Sequence, residues 1–277
     1  MSTSAWQPPA TVRTPALPVR SLALFLFGAV LLRGVAVLPW MFFPSTSGFQ
    51  QLARIVIPLG VTAALLALNL TFLRRAGFAG DALGLRLHRI GWLAVGGFAA
   101  VPILLAMAAV LGWFVPFHWE QGTLSWPRYG WQATEYLAGN FGEELMFRGY
   151  LLLILTRCLG LRWALLIVAI LFGLFHLPGI SGGAALKMIC TTAAWSYLFA
   201  YAFLLTNSLW TAVGLHVLGN LLLHQTLGLS GQESLWRIVL HGHWPTRYDP
   251  AFLTVMTVSL SIVFVASRLY TRHRSTL

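Results

Sequence analysis

Long apolar segments recur along almost the whole chain, and they restrict its fold more than any other feature of the sequence. A helix needs about 20 apolar residues to cross the hydrocarbon core of a bilayer, which is about 30 Å thick. The apolar segments cover roughly residues 21–43, 54–73, 90–115, 132–157, 162–177, 185–206, 208–228 and 251–270. Only 9% of the residues are charged, whereas soluble domains carry about a quarter. The sequence therefore predicts an all-α fold, a polytopic membrane bundle of about eight transmembrane helices.

The segment before the first apolar run differs in composition from the rest of the chain. It holds four prolines and two arginines within its first 20 residues. The apolar run that follows is longer than the apolar core of a signal peptide, so we interpret it as a helix that the protein retains. We predict a flexible cytoplasmic tail over 1–20 and one transmembrane helical bundle over 21–277.

Basic residues are unevenly distributed between the two sides of the predicted membrane. The net charge is +11, and 11 of the 18 Lys and Arg residues fall on the side that holds both termini. They flank apolar segments and do not cluster with aromatic residues, so we expect no nucleic-acid partner. Because basic loops stay cytoplasmic, both termini are predicted to be cytoplasmic. The arginine-rich, lysine-poor usage indicates a GC-rich bacterial genome, and hence a bacterial cytoplasmic membrane.

The stretch GNFGEELMFRGYLL places two carboxylates and a guanidinium inside an apolar segment. Glu144 and Arg148 are four residues apart and can pair on one helix face, whereas Glu143 points about 100° away and is left free of that arginine. An ionisable group in a membrane costs at least about 2.5 kcal/mol, so it usually faces the bundle interior or a water-filled cavity. We predict that Glu144 and Arg148 hold the helix and that Glu143 is reactive. The alternative is that all three form a packing network that fixes helix register.

Two further stretches bring polar side chains into apolar segments. His176 ends the run ILFGLFH, and in GLHVLGN the residues His216 and Asn220 lie four apart on one helix face. Each group alone is typical of a hydrogen-bonded core residue. Three such motifs on three separate spans would each need a buried partner of their own. We therefore expect them to converge on one cavity.

The chemistry that suits this set is acyl transfer to water. A carboxylate in an apolar setting can take a proton from water, a histidine can hold that water, and a second histidine with an amide can stabilise the oxyanion. The sequence contains neither a GxSxG motif nor a Cys-His signature. Attack by activated water is therefore preferred to an acyl-enzyme.

The three motifs resemble those of a known family. EELMFR matches EExxxR, FGLFH matches FxxxH and HVLGN matches HxxxN of the membrane-embedded CAAX-processing and bacteriocin-immunity proteases, the CAAX prenyl protease 2-like or CPBP family. The resemblance covers about residues 130–228, which we take as the catalytic core. One departure is Thr211, where relatives often have proline in LWPA.

The resemblance implies a helical bundle with a conical cavity and an endopeptidase that cuts near the C-terminus of a membrane-associated protein or peptide. It makes Glu143 the general base on water and His176 its partner. His216 and Asn220 would form the oxyanion hole, supported by Glu144 and Arg148.

A zinc mechanism is an alternative, because a glutamate with two histidines is a plausible zinc set. The ligands would then be Glu143, His176 and His216. No HExxH motif is present, so we favour a glutamate-type mechanism without a metal.

Two other functions are compatible with the same residues. Buried carboxylates and histidines are also parts of proton-coupled transporters, although no inverted repeat is evident. A non-catalytic membrane protein that confers immunity or regulates another protein would need no reactive carboxylate.

Overall fold

The computed structural model describes residues 16–42, 48–228, 233–241 and 249–275, and within these ranges the chain is predominantly helical. The predicted tail over 1–20 lies outside the described residues up to position 15. The helices are α1 (Val19–Phe42), α2 (Gly48–Arg75), α3 (Gly91–Phe114), α4 (Trp126–Arg148), α5 (Tyr150–Leu159), α6 (Leu161–Phe175), α7 (Gly182–Thr206), α8 (Leu209–Asn220) and α9 (Pro250–Ser275). Short 3₁₀ and π segments lie at Leu87–Arg89 and Leu221–Thr226. The predicted all-α membrane bundle is confirmed.

The helices differ in how well they suit a bilayer. Among the described residues, five segments are long and apolar enough to cross a membrane: Val19–Leu38, Leu52–Arg75, Leu87–Phe114, Gly182–Thr206 and Pro250–Arg272. The other predicted spans correspond to α4 with α5, to α6 and to α8. These helices are shorter or carry the buried charges, and they lie among the long apolar helices.

The fourth predicted span is two helices, which corrects the prediction of one continuous segment over 132–157. The break is at Gly149, where a Cβ atom would lie 1.9 Å from Oδ1 of Asn69. That oxygen accepts a hydrogen bond of 2.7 Å from the backbone N–H of Tyr150. A buried amide on α2 thus fixes the junction directly after Arg148.

A two-stranded antiparallel ribbon joins β1 (Phe117–Gln121) and β2 (Trp236–Leu240). The sequence does not predict this ribbon, because two five-residue strands far apart in the chain give no periodic signal of their own. Arg237 and Glu120 pair across the ribbon at 2.5 Å. A hydrogen bond from Arg237, and to a smaller extent one from His118, lowers the pKa of Glu120 below its usual value.

The bundle has two ends. We call the end with the start of α1 and the end of α9 the terminal face, and the end with β1 and β2 the ribbon face. At the terminal face the end of α5 meets the segment after α2, with a 2.5 Å hydrogen bond from Arg157 to the carbonyl of Ala76. The ribbon face holds β1 and β2 together with the start of α4, where Arg128 lies 3.5 Å from Glu233. The start of α7 reaches the same face, where Lys187 lies 2.7 Å from Asp249.

Close backbone contact between α3 and α8 positions the helix that carries His216. A Cβ atom at Gly96 would lie 2.0 Å from the carbonyl oxygen of Thr211, and one at Gly214 would lie 2.0 Å from that of Leu93. Small residues allow this approach, as in other membrane helix pairs. Thr211, the departure from the family pattern, lies in the first turn of α8, where its hydroxyl is 2.8 Å from that of Thr206.

Candidate active site

Three helices bring the predicted reactive side chains together. Glu143 lies near the end of α4, His216 lies in α8, and His176 follows directly after α6. Glu143 Oε2 is 3.8 Å from Nε2 of His176 and 3.9 Å from Nε2 of His216. The predicted convergence of the three motifs therefore holds for these residues.

Both histidine rings turn the same nitrogen towards Glu143. Nδ1 of His176 is 2.7 Å from the carbonyl oxygen of Phe172, and because a carbonyl can only accept, this nitrogen carries the hydrogen. Nδ1 of His216 is 2.8 Å from Oε1 of Glu144, and a carboxylate oxygen imposes the same tautomer. In each ring Nε2 is left to face the Glu143 carboxylate.

The position of His176 follows from the end of its helix. α6 ends at Phe175, and His176 has φ −92° and ψ 4°, outside the regular helix. Pro178 follows two residues later, and a proline disfavours helical geometry in the residue before it. The ring of Phe172 packs against the imidazole with centroids 4.6 Å apart. His176 therefore lies at a helix end that faces the site.

Arg33 of α1 also belongs to the site, although the three sequence motifs do not include it. Its Nη2 donates to Oε1 of Glu143 at 2.9 Å, and its Nη1 lies 3.4 Å from the carbonyl of Gly139. Arg148 pairs with Glu144 and not with Glu143 within the described residues, as predicted, but Glu143 forms an ion pair with Arg33. The sequence does show an arginine within an apolar segment. Helical spacing cannot identify its partner, however, because Arg33 and Glu143 are 110 residues apart in the chain.

Glu144 and Arg148 form a separate, fully buried network. The predicted contact between them is present, with Arg148 Nη1 3.3 Å from Oε1 of Glu144. Nη2 of Arg148 donates to the hydroxyl of Ser196 at 2.9 Å and to its carbonyl at 3.1 Å. The guanidinium also lies 4.4 Å from the ring centroid of Phe172. Since Glu144 holds His216 as well, this network links α4, α7 and α8.

Asn220 is less closely tied to the cluster than the other predicted residues. It is half-buried at the end of α8, one turn after His216 and on the same side of the helix. Within the described part of the chain its side chain makes no hydrogen bond or ion pair. Its role in an oxyanion hole stays a prediction.

A cavity of about 330 Å³ is lined by Arg33, the partner of Glu143, but Glu143, His176 and His216 are not among its lining residues. Arg33, Gly139 and Asn140 line it on the side of the site, and Arg54 and Arg128 line it on the side of the ribbon face. The volume is at the lower end of the range for ligand pockets, about 300–1,000 Å³. As for metal sites, no group of three or more His, Cys, Asp or Glu side chains in the described ranges could hold an ion.

Comparison with known proteins gives a match in the region of the site. Residues 125–222 match the family model described as type II CAAX prenyl endopeptidase Rce1-like. No curated protein matches the chain at a significant level. The matched segment contains Glu143, Glu144, Arg148, His176, His216 and Asn220. The resemblance drawn from the three motifs is confirmed: residues 125–222 of this integral membrane protein are similar to the Rce1-like CAAX prenyl endopeptidases.

Proposed function

We propose that this chain is a membrane-embedded endopeptidase in which Glu143 activates water to hydrolyse a peptide bond of a membrane-associated protein. One observation carries the proposal: the Glu143 carboxylate faces two imidazole Nε2 atoms at 3.8 and 3.9 Å. These distances exceed a hydrogen bond, and they suit a water molecule that contacts all three groups. The match to a protease family supports the same chemistry.

The hydrolysis would proceed in two steps. Glu143 takes a proton from water while the oxygen attacks the peptide carbonyl carbon, and the carbonyl oxygen becomes an oxyanion. His176 Nε2 accepts the second hydrogen of the water and orients it. The protonated Glu143 then gives its proton to the leaving amine as the C–N bond breaks, leaving a carboxylic acid and an amine.

The oxyanion would be stabilised from α8. When His216 is protonated, its Nε2–H can donate to the oxyanion, while Glu144 stabilises the imidazolium through Nδ1. The amide of Asn220, one turn later on the helix, is the second proposed donor. This arrangement gives Glu144 an orienting role and leaves proton transfer to Glu143.

The side chains around Glu143 favour a mechanism without a metal. Arg33 already donates to Oε1 of Glu143, and a guanidinium at this distance would repel a dication bound by the same carboxylate. We therefore expect a zinc chelator to leave the cleavage rate unchanged. Loss of activity with the chelator and its recovery on adding zinc would contradict this expectation.

The test of the proposal is Glu143→Gln, which keeps the shape of the side chain and removes the base. The C-termini of membrane proteins are compared between cells with the parent chain and cells with the variant, and a protein that is shortened only by the parent is then cut in detergent. We expect the rate to fall about 10²- to 10⁴-fold. The control is Glu120→Gln on the ribbon, an exposed glutamate that also pairs with an arginine.

The same experiment separates the alternatives. A Glu143→Gln variant that retains uncut substrate is the expected result for an enzyme. Cleavage at the parental rate would contradict the role of Glu143. Equal binding by both forms with no cleavage would indicate an immunity or regulatory protein, and proton-coupled flux without cleavage would indicate a transporter.

A further inference from the structure

Another cavity lies at the terminal face, between the start of α1, the end of α2 and one side of α5. Its volume is about 230 Å³. Ser21, Arg75, Tyr150 and Arg157 supply polar side chains to its wall. Among the described residues that line it, none is Asp or Glu. The cavity is therefore basic, and it is separate from the candidate active site.

The two arginines of this cavity have no carboxylate partner within the described residues. Arg157 donates from Nη1 to the carbonyl oxygen of Ala76 at 2.5 Å. The guanidinium of Arg75 lies 5.9 Å from the ring centroid of Phe72. All seven Asp and Glu residues of the chain are described. Six of them pair with other cations, and the seventh, Glu135, lines the cavity beside Arg33. The negative charge that balances the two arginines therefore has to come from another molecule.

Further hydrogen-bond donors lie around the same cavity. Tyr150 is only 1% exposed, and its hydroxyl makes no hydrogen bond within the described residues, although a buried tyrosine hydroxyl usually has a partner. α1 begins at Val19, and the backbone N–H groups of Arg20 and Ser21 in its first turn have no acceptor within the helix. A helix N-terminus favours anions, and guanidinium groups bind phosphate strongly. These groups together fit an anion that accepts several hydrogen bonds.

The position of the cavity identifies this anion as part of a membrane lipid. Val19 and Arg75 are end residues of two segments that are long and apolar enough to cross a membrane, and such segments end at the level of the lipid headgroups. The volume lies below the range of about 300–1,000 Å³ for ligand pockets, so it suits a headgroup whose acyl chains extend along the helices. A zwitterionic headgroup fits less well, because its ammonium group would meet the arginines with no carboxylate in the described wall to receive it.

We propose that this cavity binds the phosphate of an anionic phospholipid in the leaflet at the terminal face. Arg75 and Arg157 hold the phosphate oxygens, and the hydroxyls of Ser21 and Tyr150 donate to the same group. Basic pockets between transmembrane helices bind anionic headgroups in this way. The lipid connects α1, α2 and α5, and it stabilises the folded chain by binding to it. The inference does not depend on the proposed endopeptidase function.

The test compares Arg75→Gln with the matched variant Arg74→Gln, which changes an exposed arginine at the same face that does not line the cavity. Each purified chain is titrated in a neutral detergent with phosphatidylglycerol, with phosphatidylcholine, or with glycerol phosphate, which is the headgroup without acyl chains. The melting temperature is measured at each concentration and gives an apparent Kd. We expect phosphatidylglycerol to raise the Tm of the parent chain, and the other two compounds to leave it unchanged at the same concentrations.

The two arginine variants should differ in their affinity for phosphatidylglycerol. We expect the apparent Kd to rise about 10- to 100-fold in Arg75→Gln, which loses a hydrogen bond to a charged group. In Arg74→Gln it should rise by no more than about five-fold, the effect of one surface charge. An equal rise in both variants would overturn the inference, because it would indicate attraction by surface charge alone. A Tm that rises as much with glycerol phosphate, or does not rise with phosphatidylglycerol, would overturn it as well.

Tyr150→Phe tests the cavity with a change that keeps the folded structure. It removes one hydroxyl and retains the ring that packs against Phe25 and Phe72. The Tm without lipid should equal that of the parent, since this hydroxyl has no hydrogen-bond partner in the described protein. The apparent Kd for phosphatidylglycerol should rise about 2- to 10-fold. If Tyr150→Phe and Arg75→Gln both keep the parental affinity, the lipid does not bind in this cavity.

Discussion

Glu143 and Glu144 are neighbours in the chain, yet their carboxylates lie in opposite surroundings. Glu144 is 0% exposed, and its Oε1 contacts both Arg148 and His216. Glu143 is 9% exposed, and within the described residues the ion-pair partners of its Oε2 are the two imidazoles, at 3.8 and 3.9 Å. The direction in which each side chain leaves α4, about 100° apart, accounts for the difference.

The comparison teaches that burial and partners, not residue type, separate a structural carboxylate from a reactive one. Glu144 is fully buried, and its charge is balanced within the protein by Arg148. Glu143 has one charged partner at hydrogen-bond distance, Arg33, and it keeps a small exposed fraction. The two interpretations of this motif can therefore both hold, with Glu144 in a buried network and Glu143 as the proposed reactive group.

The largest effect is expected on the Glu144 side of the comparison. Arg148→Met removes the partner of a fully buried carboxylate, and breaking a buried pair in this way costs about 3–5 kcal/mol. The lost contacts with Ser196 and Phe172 act in the same direction. We expect the free energy of unfolding in mild detergent to fall by that amount, measured by titration with a denaturing detergent.

The control is the double variant Glu144→Leu with Arg148→Met, which removes both charges. It should be more stable than Arg148→Met alone, because replacing a whole buried pair with apolar residues is often neutral or stabilising. Its activity should stay low, since His216 loses the carboxylate that holds its Nδ1. If the double variant is as unstable as Arg148→Met, the unpaired charge of Glu144 is not the reason for the loss of stability.

A smaller effect is expected for Arg33→Gln, on the Glu143 side. A hydrogen bond to a charged group contributes about 1.5–3 kcal/mol, so losing this one should lower kcat/KM by about 10- to 100-fold. The free energy of unfolding should change less than in Arg148→Met, because Arg33 lines the cavity. Steady-state kinetics with the cleaved substrate measure the first quantity.

Arg33→Lys serves as the matched control, because it keeps the charge but not the planar fork of donors. It should recover part of the lost activity. If Arg33→Gln unfolds as readily as Arg148→Met and keeps its kcat/KM, the ion pair of Glu143 is structural like that of Glu144, which would contradict the difference between the two glutamates.

The spans could be predicted closely because bilayer thickness dictates their length. The predicted segment 185–206 is α7 (Gly182–Thr206), and 251–270 is α9 (Pro250–Ser275). Contacts within one helix were also predictable, since Glu144 and Arg148 are held together by helical geometry alone. Helix spacing therefore predicts the contacts of the site that lie within one helix.

Contacts between distant helices could not be predicted from spacing. The break at Gly149 depends on Asn69, 81 residues before Tyr150 in the chain, and the pairing of Arg33 with Glu143 depends on how α1 packs on α4. The ribbon between β1 and β2 likewise joins segments more than 110 residues apart. Each depends on tertiary packing, which the hydrophobic pattern of a single segment does not encode.

The smallest effect is expected for Asn140→Leu, which tests the cavity beside Arg33 without touching the ion pair of Glu143. Nδ2 of Asn140 makes no hydrogen bond in the described protein, so we expect leucine to leave the free energy of unfolding unchanged or slightly higher. Because Glu143, His176 and His216 do not line this cavity, kcat and KM should both stay the same. Initial rates over a range of substrate concentrations separate the two constants. A higher KM at constant kcat would mean that the peptide contacts Asn140, and a fall in kcat at constant KM would mean that Asn140 acts on Glu143.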